Sequence, residues 1–379
     1  MQPLALGNLT GIGYYAANVM KELVPILDED HELHVFDFMD RNGAASMLQK
    51  HLGGAFDVSK LHTVTSVPLS LYIRAGNGGK LFPYEKLAKS DADLTVFFNF
   101  LCPQGITGDN IITIYDMVSS RYPETMQSRN RRLLKRFLKP SADNASYIIT
   151  ISEFSKKEII ELLGAPEEKV RVAHCGVDTS FYSPFESEVE ESAGRAYLER
   201  TYGIGRYILY VGTLEPRKNI ITIVRAFEKA ASSHKDVKLV LAGGVGWKSE
   251  ETMKVIAGSP FSDRIVRTGY ISDEDKRLLY RGAEFFVFPS LYEGFGMPVT
   301  EAMACGTPAV IADTSSLPEA SGGLALASPA EDVSGFADIF DQILRGDAVL
   351  PSSEELIRAA SKFTWNNAAR VYNDTFGML

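Results

Sequence analysis

The sequence contains few cysteines, and their positions exclude two common kinds of cross-link. Cys102, Cys175 and Cys305 lie in widely separated segments, and no Cys-x-x-Cys spacing occurs. Neither a disulfide framework nor a thiolate zinc site is therefore expected. Such cysteine usage is typical of a reducing compartment, and the sequence predicts a cytoplasmic protein.

Long hydrophobic runs are also missing. No apolar stretch approaches the roughly 20 residues that a membrane-spanning helix requires. The N-terminus lacks the charged and then apolar pattern of a signal peptide. We therefore expect a soluble protein, or one that binds peripherally at the inner face of the membrane.

Two further absences limit the partners of the chain. It has 39 Lys and Arg against 48 Asp and Glu, a net charge of -9. Nucleic-acid binding normally leaves a basic domain, so this balance argues against a nucleic-acid partner. The six histidines form no His-x-x-x-His pair or other clustered ligand set. We therefore expect no required metal and no cofactor.

What the sequence does contain is an alternation of short β-branched runs with longer amphipathic segments. This alternation predicts βαβ units and parallel sheets. In the second half the runs are almost continuously apolar, which indicates strands buried on both faces. The predicted strands lie at residues 34–38, 94–98, 111–115, 147–151, 207–211, 238–242, 265–268, 285–288 and 308–311.

With 379 residues the chain exceeds the size of one growing hydrophobic core, so two domains are expected. We place an N-terminal domain at residues 1–180 and a second domain at 206–363. The Glu- and Ser-rich stretch 181–205 is expected to be the linker, and residues 364–379 a terminal helix. The N-terminal domain begins without the first strand of its βα unit, which a misassigned start, a truncation or a shorter sheet would each explain.

The strongest motif spans residues 287–308 and is predicted to run from a strand through a glycine-rich loop into a helix. Gly294 and Gly296 permit close backbone approach, and Pro298 suits the first helical turn. Free amides and the positive end of the helix dipole would then face the loop. The motif therefore predicts an anion-binding site.

Two carboxylates, Glu293 and Glu301, flank this loop. A carboxylate accepts several hydrogen bonds and is suited to binding sugar hydroxyls. The alternative is that Glu301 only compensates the helix dipole and that Glu293 is a solvated loop residue.

A second motif, residues 210–219, places two cations after a predicted strand. Arg217 and Lys218 are suited to stabilising the negative charge of a diphosphate leaving group. A solvated basic loop is the alternative interpretation.

Together these two motifs resemble the retaining glycosyltransferases of family 4. The resemblance extends over nearly the whole chain. It includes the segments 142–156 and 170–178, and Gly11-Ile-Gly13, which resembles the family's N-terminal glycine loop and is expected to precede the first helix. It implies the GT-B architecture, an α/β fold of two facing Rossmann-like domains with parallel sheets and an interdomain cleft. It also implies a donor that is a nucleotide-diphosphate sugar, and retention of anomeric configuration, with the donor phosphate helping to deprotonate the acceptor.

The resemblance also implies residue roles. Glu301 would bind the ribose hydroxyls and Glu293 the transferred sugar, while Arg217 and Lys218 would hold the diphosphate. Gly269 and Tyr270 would lie near the base, and backbone amides from Phe295 to Met297 would complete the contacts. The implied donor-binding set is Gly11, Gly13, Gly212, Arg217, Lys218, Gly269, Tyr270, Glu293, Gly294, Phe295, Gly296, Met297 and Glu301.

The chain departs from the family pattern at two positions. Thr213 stands where many members carry an Arg, so Arg217 is expected to supply that charge. Tyr115 stands where many carry a His, directly before Asp116. We keep Asp116 with Glu293, Arg217 and Lys218 as the candidate catalytic residues, since it follows a strand. Capping of the next turn is the alternative role for Asp116.

The resemblance favours members that transfer mannose, and hence GDP-mannose over a UDP-sugar, with a glycan or lipid-linked acceptor. Three other functions stay open: a nucleotide-sugar epimerase, a catalytically degenerate binding subunit, and a dinucleotide oxidoreductase. The last would need Gly-x-Gly-x-x-Gly after its first strand, and Gly11-Ile-Gly13 has no third glycine.

Two weaker patterns remain. Residues 128–139 place six cations around an apolar stripe, which suits contact with anionic lipid or a lipid diphosphate. The alternative is a core-packed helix with a solvated face. Asp91 and Asp93 resemble the metal-binding Asp-x-Asp of the other major glycosyltransferase architecture, but they precede a strand and are expected to end a helix.

Overall fold

The computed structural model describes residues 11–27, 35–38, 44–53, 61–64, 83–88 and 92–379. The chain divides into two compact units. The first consists of Met1–Gly176 with Thr364–Leu379, and the second of Val177–Phe363. Both units are built from helices and parallel sheet, which confirms the predicted α/β class. Residues 1–10 and Asp91 lie outside the described residues.

The described strands of the first unit are all parallel. They are β1 (Val35–Phe38), β2 (Leu61–Val64), β3 (Leu94–Phe97), β4 (Asp109–Thr113), β5 (Tyr147–Thr150) and β6 (Val170–Val172). The last four form one sheet in the order β3-β4-β5-β6, and β1 pairs with β2. Strand β4 is central, and its apolar residues Ile111 and Ile112 are completely buried.

The helices of this unit correct one expectation about its glycines. Gly11 and Gly13 were expected in a loop before the first helix, but both lie in the first turn of α1. Gly13, Tyr15 and Ala16 are buried, and such tertiary packing outweighs the low helix propensity of glycine. The helices described up to residue 163 are α1 (Gly11–Leu23), α2 (Ala44–Leu52), α3 (Tyr84–Ala88), α4 (Val118–Arg121), α5 (Ser128–Asn144) and α6 (Glu153–Leu163).

The second unit contains a six-stranded parallel sheet. Its strands are β7 (Arg206–Val211), β8 (Val237–Ala242), β9 (Ile265–Gly269), β10 (Phe285–Phe288), β11 (Ala309–Ala312) and β12 (Leu326–Ser328). Their spatial order is β12-β11-β10-β7-β8-β9. The order reverses between β7 and β10, as in dinucleotide-binding folds, where ligands bind beyond the carboxyl ends of the strands at the reversal.

Strand burial in this unit follows the expectation from the sequence except at β9, an edge strand on which Arg267 is exposed. All four side chains of β10 are completely buried, as are Leu239, Val240 and Leu241 of β8. Consecutive burial requires that both faces of the sheet are covered. The apolar runs of β8 and β10 therefore encode central strands.

Residues 181–205, expected to be a linker, contain the helix α7 (Glu188–Tyr202). Ser187 caps its N-terminus and Gly203 ends it in the left-handed conformation. Gly194 and Leu198, four residues apart, form its buried stripe, which is too narrow to stand out in a polar sequence. The other helices of the unit are α8 (Ile220–Ala231), α9 (Glu250–Ala257), α10 (Asp273–Gly282), α11 (Met297–Ala304), α12 (Leu317–Ala320), α13 (Val333–Arg345) and α14 (Ser353–Ala360).

The last helix, α15 (Trp365–Phe376), belongs to the first unit. Thr364 caps it by accepting a hydrogen bond from the Asn367 amide. The Tyr372 hydroxyl lies 2.8 Å from Thr113 Oγ1, and the Trp365 ring lies edge-on to Tyr15. Buried polar and aromatic contacts thus fix this helix on the sheet and on α1.

None of the described helices is both long enough and apolar enough to cross a bilayer.

Candidate functional site

The candidate site lies where the strand order of the second unit reverses. The chain leaves β7 through residues 212–219 and leaves β10 through residues 289–296. Because β7 and β10 are parallel neighbours, both loops emerge at the same edge of the sheet. The two sequence motifs, which are about 75 residues apart, therefore come together.

Glycines allow three neighbouring strands to end close together at this edge. The Gly212 amide donates to Ala242 O at 2.8 Å, and the Gly243 amide donates to Gly269 O at 2.9 Å. Gly243 has a φ of 148°, and a Cβ on it would lie only 2.0 Å from Gly212 O. No larger residue fits there without moving the backbone.

Four charged side chains form an ion cluster between the two loops. Lys218 Nζ lies 2.5 Å from Glu293 Oε1, and Arg217 Nη1 lies 3.0 Å from Glu293 Oε2. The second terminal nitrogen of Arg217 lies 2.9 Å from Glu215 Oε1. Two cations are thus balanced by two carboxylates, and all four side chains are largely buried.

Electrostatics keep Glu293 ionised in this cluster. Burial by itself raises the pKa of its carboxyl group, but the Arg217 and Lys218 cations outweigh burial and lower the pKa from 4.5 to about 2. Burial lowers the pKa of the Lys218 ammonium, in spite of the opposing effect of Glu293. The alternative interpretation of Glu293 as a solvated loop residue is therefore wrong.

Backbone contacts hold the two loops in register. The Leu291 amide donates to Arg217 O at 2.9 Å. The Glu293 amide donates to Ser315 Oγ at 3.0 Å, and the Ser316 hydroxyl lies 2.9 Å from Glu293 O. Asn219 has a φ of 55°, and its side-chain amide reaches Pro289 O at 3.1 Å. The charged side chains are consequently pre-positioned.

The N-terminus of α11 is the expected anion-binding element. Gly296 precedes it with a φ of 116°, and a Cβ there would lie 2.9 Å from Leu317 Cδ2. No side chain caps this end, and Met297 is its first residue. Phe295 is buried and packs edge-on against Phe363. Amides of the first helical turn are the groups that bind anions in such positions.

Glu301 lies further along the same helix and has partners of its own. The Tyr280 hydroxyl donates to Glu301 Oε2 at 2.9 Å, and Lys276 Nζ lies 3.4 Å from Oε1. Glu301 is only 7% exposed. It is the fifth residue of α11, beyond the first turn in which a carboxylate gains from the dipole. Compensation of the dipole does not explain this position.

The remaining predicted site residues are not members of this ion cluster. Tyr270 directly follows β9 and is 82% exposed. Gly11, Gly13 and Asp116 belong to the first unit. The Asp116 carboxylate accepts a hydrogen bond from the Val118 amide at 3.0 Å, which is the capping role that the sequence left open.

The residue before it, Tyr115, is a core residue in this structure. It is 4% exposed, and its hydroxyl lies 3.4 Å from Phe98 O. Its ring packs edge-on against Tyr15 and Phe100. Desolvation raises the pKa of its phenol well above the ordinary value, so Tyr115 is unsuited to proton transfer near neutral pH.

The loop after β8 is a part of this edge that the sequence analysis missed. The Leu214 amide donates to Gly244 O and the Gly246 amide donates to Leu214 O, both at 2.9 Å. Val245 is 59% exposed, and Lys248, with a φ of 53°, places its ammonium 4.9 Å from the Trp247 ring centroid. The signal that could have identified this loop is a Gly-Gly-x-Gly directly after a predicted strand.

Metal ligands do not cluster in the described part of the chain. No group of three or more His, Cys, Asp or Glu side chains there is placed to hold an ion. Independence from metals stays a prediction that requires its own test.

Both halves of this chain match known protein families. Residues 9–181 match the domain described as Glycosyltransferase Family 4, and residues 200–363 match Glycosyl transferases group 1. O-antigen chain mannosyltransferase B of Escherichia coli is 30% identical over 259 residues, which cover 68% of this chain and 67% of that protein. Serotype-specific mannosyltransferase WbdA of Escherichia coli is 30% identical over 243 residues, covering 62% of this chain but only 29% of WbdA.

A similar solved structure extends over the whole chain. Anabaena Alr3699/HepE, in complex with UDP and glucose, superimposes with a TM-score of 0.69 at 18% identity. The match covers 99% of this chain and 98% of that one. At this identity the likeness establishes a shared fold.

Proposed function

Because the chain belongs to glycosyltransferase family 4, with its group 1 domain, we propose that it is a retaining hexosyltransferase. It moves a hexosyl group from a nucleotide-diphosphate sugar to a hydroxyl of a glycan or lipid-linked acceptor. The observation that carries this proposal is the buried cluster of Arg217, Lys218 and Glu293 where the strand order reverses.

In this proposal the donor diphosphate replaces Glu293 as the ion-pair partner of Arg217 and Lys218. Glu293 pairs with both cations in the structure. An incoming diphosphate, placed at the N-terminus of α11, brings two or more negative charges to Arg217 and Lys218. Glu293 then turns to accept hydrogen bonds from hydroxyls of the donor sugar, while Glu215 remains the counter-ion of Arg217.

The nucleoside is bound by the neighbouring loops. Glu301 accepts hydrogen bonds from the ribose hydroxyls. Tyr280 and Lys276 hold the Glu301 carboxylate in place. Gly212 and Gly269 have no side chains at the strand ends, so a flat base can approach the backbone there. Tyr270 borders the base. The Tyr270 ring is 82% exposed and is therefore accessible to a base.

The chemical step breaks the bond between the anomeric carbon and the diphosphate oxygen. The acceptor oxygen forms its bond on the same face of the sugar, and its proton passes to the departing phosphate. Lys218, Arg217 and the α11 amides stabilise the charge that grows on the diphosphate. No metal is required, because the two cations take the place of a divalent ion.

The donor base and sugar are taken from the relatives. The two Escherichia coli proteins are named mannosyltransferases, one of them of the O-antigen chain. We therefore propose GDP-mannose as donor and a growing surface glycan or its lipid-linked form as acceptor. The three cysteines are free and buried, which supports action in a reducing compartment such as the cytoplasm.

The first experiment is a thermal-shift screen with GDP, UDP, ADP, their sugar conjugates and NAD, because a ligand of the folded state raises the melting temperature. We expect the largest shift with GDP or GDP-mannose, unchanged by EDTA. Product from GDP-mannose is then examined by NMR for an α-linkage. A shift with NAD alone, a β-linked product, or conversion of the donor to an epimer without acceptor would each contradict the proposal.

A further inference from the structure

Helix α5 of the first unit carries a concentration of positive charge that the proposed reaction does not use. Residues 128–139 contain six cations and no acidic residue, in a chain whose net charge is -9. All six side chains are exposed. The cations are Arg129, Arg131, Arg132, Lys135, Arg136 and Lys139.

These cations share one face of the helix. At about 100° per residue they fall within an arc of roughly 160°, opposite the buried side chains. The buried side consists of Leu134, Phe137 and Leu138, which pack into the core of the unit. The apolar side is therefore packed inside the protein, with Leu133 partly buried against the same core, and the charged face is the one available to a partner.

Little else in the described structure neutralises this face. Lys139 pairs with Asp143 at 2.8 Å, but no carboxylate of the described residues forms an ion pair with the other five cations. Arg131 and Lys135, and likewise Arg132 and Arg136, are like charges four residues apart, which destabilises a helix. An arrangement that costs stability and has no ion-pair partner for these five cations among the described residues points to an external partner.

The distribution of the charges indicates the shape of that partner. From residue 129 to 139 the cations extend over about 15 Å, so they do not converge on one point. A single diphosphate meets two or three of them, whereas a flat anionic surface meets all of them together. We propose that this face docks the protein on an anionic lipid bilayer.

Because the apolar side of α5 is buried in the protein, the helix binds the membrane electrostatically and does not insert into the bilayer. Each Lys or Arg near an anionic surface contributes about a fivefold gain in binding. Binding must then depend on the fraction of anionic lipid and weaken as salt shortens the screening length. A helix that inserted its apolar side would bind neutral vesicles too and would tolerate salt.

The test is co-sedimentation of the full chain with vesicles of phosphatidylcholine, with and without 30% phosphatidylglycerol. We expect binding only to the anionic vesicles, and loss of binding between about 50 and 500 mM salt. The variant R131Q/R132Q/K135Q/R136Q should bind at least a hundredfold more weakly. Glutamine preserves helix propensity, and circular dichroism checks the fold.

The matched control removes four exposed cations from the second unit, in R200Q/K235Q/K254Q/R358Q. Both variants have the same net charge, but the control should bind as the wild type does. Equal losses in both variants, binding to neutral vesicles, or no binding of the wild type at low salt would each overturn the proposal. The nucleotide-induced thermal shift should be the same in all three proteins, so this result is independent of the donor site.

Discussion

The four-stranded sheet of the first unit and the six-stranded sheet of the second unit end in chemically different edges. In the second unit, the loops after β7 and β10 bring Arg217, Lys218 and Glu293 within ion-pair distance of one another. In the first unit, the residues that follow β4 include Tyr115, which is buried in the core, and Asp116, which caps a turn. The same fold element therefore supports a charged site at one edge and a structural contact at the other.

Burial explains why this difference matters. An isolated charge in a protein interior is expensive, so a buried carboxylate persists only with cations and hydrogen bonds around it. The edge of the second unit has these partners, and the pKa of Glu293 falls to about 2. At the first edge the buried polar group is a neutral phenol. We infer that donor chemistry is concentrated in the second unit.

The largest expected effect is from Lys218→Ala. Its ammonium lies 2.5 Å from Glu293 and, in the proposed reaction, stabilises the leaving diphosphate. Removing one such contact commonly lowers turnover by about 10²–10³. Initial rates with GDP-mannose measure the loss, with Lys235→Ala as an exposed-cation control. Glu293→Ala should also lower turnover at least about tenfold. Unchanged rates in both variants would refute the assignment of the donor site.

Acid should lower the free energy of unfolding of the second unit, because it protonates Glu293. Its folded pKa of about 2 lies below the ordinary 4.5, so its stabilisation is complete above pH 4.5 and is lost as the pH falls toward 2. The shift corresponds to about 3 kcal/mol of unfolding free energy.

Urea unfolding at pH 5, 4 and 3 tests this expectation. Trp247 is the one tryptophan of the second unit, so its fluorescence in a Trp365→Phe background reports on that unit. The variant Glu293→Gln should show a shallower pH dependence over this range. Parallel curves for the two proteins would mean that Glu293 is not held ionised by its neighbours.

A smaller effect is expected from Glu301→Gln. The amide keeps the shape of the side chain but weakens hydrogen bonds to ribose hydroxyls by about 1.5 kcal/mol, or tenfold. This loss should appear in the KM for the donor and less in kcat. Tyr280→Phe removes only the supporting hydroxyl and should act more weakly. An unchanged KM in Glu301→Gln would mean that Glu301 does not bind the donor.

The smallest effect is expected at the edge of the first unit. Asn replaces Asp well as a capping residue, so Asp116→Asn should change turnover by less than about threefold. Asp116→Ala should lower the melting temperature because the Val118 amide loses its acceptor. A hundredfold loss of turnover in Asp116→Asn at an unchanged melting temperature would make Asp116 catalytic and remove the contrast between the two edges.

Much of the fold was predictable from local pattern. All nine predicted strands are present, with ends within two residues of those expected. The strands that were missed, Leu61–Val64, Val170–Val172 and Leu326–Ser328, are only three or four residues long. Helix α7 was also missed, because tertiary packing of Gly194 and Leu198 stabilises it and its own periodicity is weak.

The sequence by itself determined the strands, the two loop motifs and the family, because periodicity, glycine spacing and side-chain chemistry are local properties. Only the tertiary structure decided which charges meet. Lys218 and Glu293 become partners because β7 and β10 are neighbours in space although two other strands separate them along the chain. Likewise, only packing revealed that Tyr115 is core and that the cations of α5 face outward, since burial depends on contacts distant in sequence.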